Sequence, residues 1–218
     1  MYSPLFSLLG GRLSLDVFIA FVVGLTLGMT VHEFAHNYGA YVMGDASPKY
    51  NGRLTLNPLV HIYWPGWIMW MVIGFGILGT APISPERLPM YNRRWRWLVA
   101  VAAGPVSNLI LAAIIGIAVQ LMGANPLTTI YTMASTMIYI NVLLFVFNLI
   151  PLFPIDGWQI VYCLLPPDLA VVWRRYQQES GYVFMGLILL SFVVPQLNIL
   201  GYLIGGPVNT ISRLLLGG

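Results

Sequence analysis

The stretch LSLDVFIAFVVGLTLGMTVHEFAHNYGAY, residues 13–41, decides how the rest of the chain must be read. It contains no proline and reads as one helix. At about 1.5 Å per residue it is more than long enough to cross the ~30 Å hydrocarbon core of a bilayer. Its far half carries His32, Glu33, His36 and Asn37. Polar groups at that depth are costly unless they have a partner or a task. Histidines four apart stand one turn above the other on the same helix face. His32 and His36 can therefore offer two imidazoles to one zinc ion. Glu33, beside the first of them, is placed to take a proton from a zinc-activated water. The spacing of the histidines alone is a weak signal. The fixed glutamate and the apolar helix around it make it a strong one.

Composition points the same way. Of 218 residues, 58% are apolar and only 8% are charged, whereas a soluble domain carries about 25% charged residues. The net charge of +3 is small and dispersed, which argues against nucleic acid as a partner. The basic residues gather between apolar runs, as they do in the loops of membrane proteins. The single cysteine, Cys163, lies in the run IVYCLL and reads as apolar filler. Further spans are expected at Trp97–Met122, Leu127–Ile150 and Gly181–Ile204, the last kinked at Pro195. Residues 43–66 form a loop whose alternating RLTL suggests a short hairpin. Ser84–Arg96 is a charged loop, and Asp168 to Glu179 a polar connector. The opening residues 1–13 look interfacial. The expected fold is an all-α polytopic membrane protein. It is a bundle of about four to six transmembrane helices with a small re-entrant or hairpin loop region. The 218 residues read as a single membrane-embedded domain, its core at about 13–165 and its C-terminal helix at about 181–204.

A catalytic zinc site needs a third protein ligand and an open position. His61 and Asp156 are the candidates. His61 lies in a proline-bounded loop, VHIYWPG, where a histidine is more often a hydrogen-bonding residue. Asp156 is the only acid between Glu86 and Asp168 and follows Pro151 and Pro154. Non-helical chain at membrane depth is tolerated where it lines a protein cavity, so Asp156 is favoured.

Four stretches in order resemble the site-2 protease family of intramembrane zinc metalloproteases, in particular its short members without a PDZ domain. HEFAH at 32–36 matches the family's HExxH. GRLTLNPLVHIYWPG at 52–66 resembles the segment that follows it. RRWRWLVAVAAGPVSNLILA at 93–112 matches a helix with G-P-x-x-N. FNLIPLFPIDG at 147–157 matches N-x-x-P-x-x-x-[LI]-D-G. The resemblance implies one zinc per chain on His32, His36 and Asp156, with Glu33 as general base and then acid. It implies that Asn148 positions substrate or stabilises the oxyanion, and that Asn108 is a supporting active-site asparagine. Tyr63 stands where relatives carry an acid, so no role is carried over for that position. The implied substrate is a transmembrane segment or membrane stub of another protein. A non-catalytic metal-binding scaffold or transporter is the alternative, but it would not need Glu33. The sequence offers no support for a homo-oligomer.

The zinc hypothesis also fixes topology. His32 and His36 lie toward the end of the first helix, and Asp156 just beyond the end of Leu127–Ile150. The three share a depth only if Trp67–Gly79 enters the membrane and returns to the side it left. Lys49, Arg53, Arg87, Arg93, Arg94, Arg96, Arg174 and Arg175 then share one side, leaving Arg12 and Arg213 on the other. The positive-inside rule makes the first side cytoplasmic. The expected location is the cell membrane, with the active site opening toward the cytoplasm.

Overall fold

The computed structural model describes residues 4–123 and 125–218. A short helix α1 (Pro4–Leu9) precedes the long α2 (Leu15–Val42). Two single turns follow, α3 (Ser47–Tyr50) and α4 (Pro58–His61), and then α5 (Trp64–Ile73). The remaining helices are α6 (Arg93–Leu121), α7 (Thr129–Asn148), α8 (Asp156–Leu164), α9 (Pro167–Arg175), α10 (Gln177–Val193) and α11 (Ile199–Leu216). The first three residues of the opening stretch, and Ala124 in the turn between α6 and α7, lie outside the described residues.

Four of the described helices, α2, α6, α7 and α11, are long and apolar enough to cross a membrane. Their outer faces carry exposed apolar rows, Ile19, Val23 and Leu27 on α2, and Ile110, Ile114 and Ile117 on α6. In water such rows would be destabilising, but lipid solvates them. The protein is thus an all-α, multi-pass membrane protein. Helices in lipid gain little from burying apolar surface against each other, so they associate where small residues allow close packing. α2 follows that rule. Its buried Ala20, Gly24 and Gly28 recur every four residues, and ideal Cβ atoms on the two glycines would meet Met137, Ile140 and Asn141 of α7. Nearer its end, Gly39 faces Ala100 and Ala103 of α6. The hydroxyls of Thr26 and Thr30 bond the carbonyls of Val22 and Thr26 within the same helix, at 2.7 and 2.6 Å. Neither leaves a polar group facing lipid.

The segment after α4 enters the bundle and comes back. α5 has ten residues, about 15 Å of rise, roughly half a hydrocarbon core. Gly74 ends it with φ 79°, a left-handed conformation that a residue with a side chain rarely adopts. The chain then returns extended. Gly79 pairs antiparallel with Ile62, and the Tyr63 N–H donates to the Leu78 carbonyl at 2.9 Å. The segment therefore leaves and arrives at the same level. Outgoing and returning chain touch through backbone, because a Cβ on Gly66 would strike the Ile77 carbonyl and one on Gly76 the Gly66 carbonyl.

Three sequence expectations need correction. The RLTL stretch forms no hairpin. The Thr55 carbonyl instead accepts the His61 Nε2–H at 2.8 Å, and the Asn57 side chain caps α4. The polar connector from Asp168 to Glu179 is helical. In α9, Pro167 opens the helix, Asp168 lies in its first turn and Arg174 and Arg175 in its last. That is the charge order a helix dipole favours. Finally, Gly181–Ile204 is not one kinked span. Helix α10 stops at Val193, and Asn198 starts α11 by accepting the Gly201 N–H at 2.9 Å. The long apolar helix is α11, whose end meets the last turns of α6, where Gln120 Nε2 donates to the Leu215 carbonyl at 2.8 Å.

Candidate metal centre

Helix α2 holds His32 and His36 on one face, and α6 packs behind that face. His36 Nδ1 lies 3.0 Å from the Ala100 carbonyl of α6. A carbonyl only accepts, so Nδ1 carries the proton and Nε2 presents a lone pair. His32 reaches the same state through a chain of asparagines. The Asn108 amide group donates to the Gly28 carbonyl at 2.9 Å and to Asn141 Oδ1 at 3.1 Å. With its donors used, Asn108 turns Oδ1 to His32 Nδ1 at 2.7 Å, which must therefore donate. Asn141 is held in turn by the Met137 carbonyl at 2.9 Å. Outer partners of this kind fix the tautomer and orientation of metal-ligating histidines.

The two bare Nε2 atoms lie 3.0 Å apart. Asp156, the first residue of α8, completes a triangle, its Oδ2 lying 3.2 Å from His32 Nε2 and 3.1 Å from His36 Nε2. Both histidines are buried and Asp156 is partly buried. Three lone-pair acceptors converging at this range in a buried site repel unless a cation lies among them. The edges approach the ~3.3 Å expected between donors of a tetrahedral site with metal–donor bonds of ~2.0 Å. His32, His36 and Asp156 thus form a group able to hold a metal ion, and their N, N, O chemistry suits zinc. Close backbone approach makes room for it, since a Cβ on Gly104 would overlap the His36 ring.

A cavity of about 360 Å³ opens beside the triangle. Glu33, 5% exposed, lines it together with Asn148, Phe184 and the returning segment around Phe75–Ala81. The backbone passes directly over Glu33, for a Cβ on Gly79 would come within 2.7 Å of its Oε1. Asn148 donates to the Leu144 carbonyl at 2.9 Å, which leaves its second N–H and its oxygen for a ligand.

The structure brings His32, His36, Asp156, Glu33 and Asn148 to one cavity. It places Asn108, fully buried, behind His32 instead of in the cavity. His61 is buried on Thr55 and is not part of the donor triangle. Two participants escaped the sequence reading. Asn141 orients Asn108 by accepting its amide N–H at 3.1 Å. Gly79 carried no recognisable signal, because its role exists only once the re-entrant segment has folded back.

The sequence is 38% identical over 181 residues to YwhC of Bacillus subtilis, covering 80% of each protein. The chain belongs to the zinc metalloprotease family of YwhC. It is also 27% identical over 188 residues to Rip2 of Mycobacterium tuberculosis, covering 84% of this chain and 70% of that one. A second Rip2, from Mycolicibacterium smegmatis, is 26% identical over 187 residues. All three carry the name of zinc metalloproteases. No family model and no solved structure matches the chain.

Proposed function

We propose that this protein is an intramembrane zinc endopeptidase of the site-2 type, hydrolysing peptide bonds in or near transmembrane segments of other membrane proteins. The observation that carries the reading is the buried His32–His36–Asp156 triangle with Glu33 on the same cavity, inside a bundle of membrane-length helices. His32 and His36 through Nε2, and Asp156 through Oδ2, would hold one zinc. The chemistry that bound zinc supplies at such a site is Lewis acidity, a water with its pKa lowered to about 7 and a polarised scissile carbonyl.

The chain's own residues supply the rest. Glu33 takes the proton of the attacking water on a carboxylate oxygen and delivers it to the leaving amide nitrogen. The free N–H of Asn148 orients the carbonyl and stabilises the negative charge that develops on its oxygen. Phe184 and the returning segment limit bulk water around Glu33. A helical substrate shields its amides, so the target must be extended locally. Among the described residues, the N–H groups of Phe75, Gly76 and Ile77 have no backbone partner. Lying along the cavity, they suit an extended peptide. The clustering of Lys49, Arg53, Arg87, Arg93, Arg94, Arg96, Arg174 and Arg175 supports a cytoplasmic opening.

The test is Glu33→Gln in the full chain, reconstituted with a panel of single-span peptides. Zinc content should match the wild type, while proteolysis falls by at least about a thousandfold. Cleavage at the wild-type rate with zinc retained would refute the assignment of Glu33 and the mechanism with it.

A further inference from the structure

A second pocket, of about 300 Å³, lies on the other side of Gln159 from the metal-bearing cavity. It sits where the Pro85–Arg87 turn meets α6, α8, α9 and α10. Arg93, Arg174, Glu86, Gln159, Gln177 and Tyr162 line it. Two of these are full positive charges whose hydrogen-bonding capacity is largely unspent. Arg93 uses Nε on the Leu88 carbonyl at 3.2 Å, leaving the two terminal nitrogens of its fork. Among the described residues, the Arg174 guanidinium has no hydrogen bond or ion pair. It rests over the Tyr162 ring, 5.5 Å from the centroid. That ring also carries Arg94, at 5.3 Å.

The one acid in the pocket is committed elsewhere. The Ser84 hydroxyl donates to the Glu86 carboxylate. That bond holds the Glu86 carboxyl below its ordinary pKa, and the charges of Arg174 and Arg93 add to the shift. The pocket therefore presents two arginine forks and two amide side chains against one carboxylate, a set suited to a singly charged oxyanion with several acceptor oxygens.

Its position says where such an anion would come from. Arg93 is the first residue of the membrane-length α6, so the pocket lies at the end of a span, the level of lipid phosphates. The chain on either side of the two arginines carries exposed side chains typical of a membrane interface, Met90, Tyr91 and Trp95 near Arg93 and Leu169, Val172 and Tyr176 near Arg174 in sequence. A site for soluble phosphate would not need to stand at the end of a span among such interfacial segments.

We infer that this pocket binds the phosphodiester of an anionic phospholipid headgroup, with Arg93 and Arg174 as its ligands. The bound headgroup also braces α8. Trp158 and Gln159 of that helix line the pocket, and Gln159 faces the metal-bearing cavity as well. Asp156 is one turn away on the same helix. The site is independent of whether the chain cleaves anything, and its test reads bound lipid.

The full chain is reconstituted in nanodiscs of phosphatidylcholine mixed with phosphatidylglycerol, then extracted, and retained lipids are counted by native mass spectrometry. The wild type should retain phosphatidylglycerol preferentially. Arg93→Gln with Arg174→Gln should lower that preference about tenfold or more, the scale of one or two charge-assisted contacts. The corresponding double lysine variant should recover part of it, which separates lost charge from lost fold. Glu86→Gln, which removes the opposing charge, should strengthen retention. Arg175→Gln, on the neighbouring residue outside the pocket, should leave it unchanged. Equal retention of the two lipids by the wild type would overturn the proposal, as would an equal loss in Arg175→Gln. Displacement of the lipid by an equal concentration of inorganic phosphate would replace it with a free-phosphate site.

Discussion

His32 and His36 stand on a helix that α6 and α7 grip along its length, whereas Asp156 opens α8 directly after a break in the helical chain and the backbone over Glu33 is irregular. The first wall of the cavity is close-packed. Its histidines are tied through Nδ1 to Ala100 and to the Asn108–Asn141 pair. The second wall consists of the returning segment around Phe75–Ala81, whose backbone hydrogen bonds are sparse, and the break between α7 and α8, where Phe153 N–H donates to the Ser180 hydroxyl at 2.9 Å. The contrast divides the labour. Two of the three ligands sit on the helical wall and the third, Asp156, follows the break, while the segment that must admit a peptide is irregular. Irregular backbone survives at this depth because it lines a cavity inside protein.

The division can be broken most directly at two glycines. Gly104→Ala puts a methyl group into the His36 ring. The ring must turn away, and zinc affinity, measured by competition with a chelator, should fall by more than the ~100-fold that loss of an outer partner can cause. Gly79→Ala strikes the Glu33 side chain from Cγ to Oε1. Glu33 should be displaced while the protein folds and binds zinc normally, with kcat down by about a hundredfold, the cost of a misplaced catalytic group. If Gly79→Ala loses metal as well, the two walls are not independent and the comparison fails.

Smaller effects sharpen it. Asn108→Ala leaves the His32 Nδ1–H without its acceptor and should weaken zinc binding about tenfold to a hundredfold. Asn108→Asp loses the donors to Gly28 and Asn141 but keeps an acceptor for His32, and should cost less than Asn108→Ala. Equal losses in the two variants would mean that Asn108 matters for packing and not for orienting His32. The smallest effect belongs to the far end of α8. There Arg94 donates to the carbonyls of Tyr162, at 2.6 Å, and of Cys163 and Leu165. Arg94→Lys keeps the charge and loses the fork, and should weaken zinc binding two- to fivefold, as expected for contacts at a helix C-terminus. No change in affinity would show that Asp156 is positioned by its own turn alone.

Much of this arrangement is legible along the chain because it is local. The His32–His36 spacing puts two rings on one face of any helix, whatever surrounds it. Apolar length marks α2, α6 and α7 to within a few residues. The two prolines before Asp156 mark a break at membrane depth. Where local signals conflicted, the reading failed. Gly181–Ile204 is apolar apart from Ser191, Gln196 and Asn198, and nothing in hydropathy says that Asn198 will cap a new helix. Asp168 through Arg175 was polar enough to pass for loop, although its charge order favours a helix.

What the sequence determined by itself is therefore the class of the molecule, the helical half of the donor set and the chemistry those donors suit. The tertiary structure alone decided the rest. Asp156 and His36 are 120 residues apart in the chain, and no periodicity brings their donor atoms to 3.1 Å. The packing of α2 between α6 and α7 does so. The same holds for Gly79 over Glu33, and for Asn108, whose side chain could have faced lipid, cavity or histidine. It faces His32 because Gly28 and Asn141 occupy its donors, and those partners meet only when three helices have closed around one another.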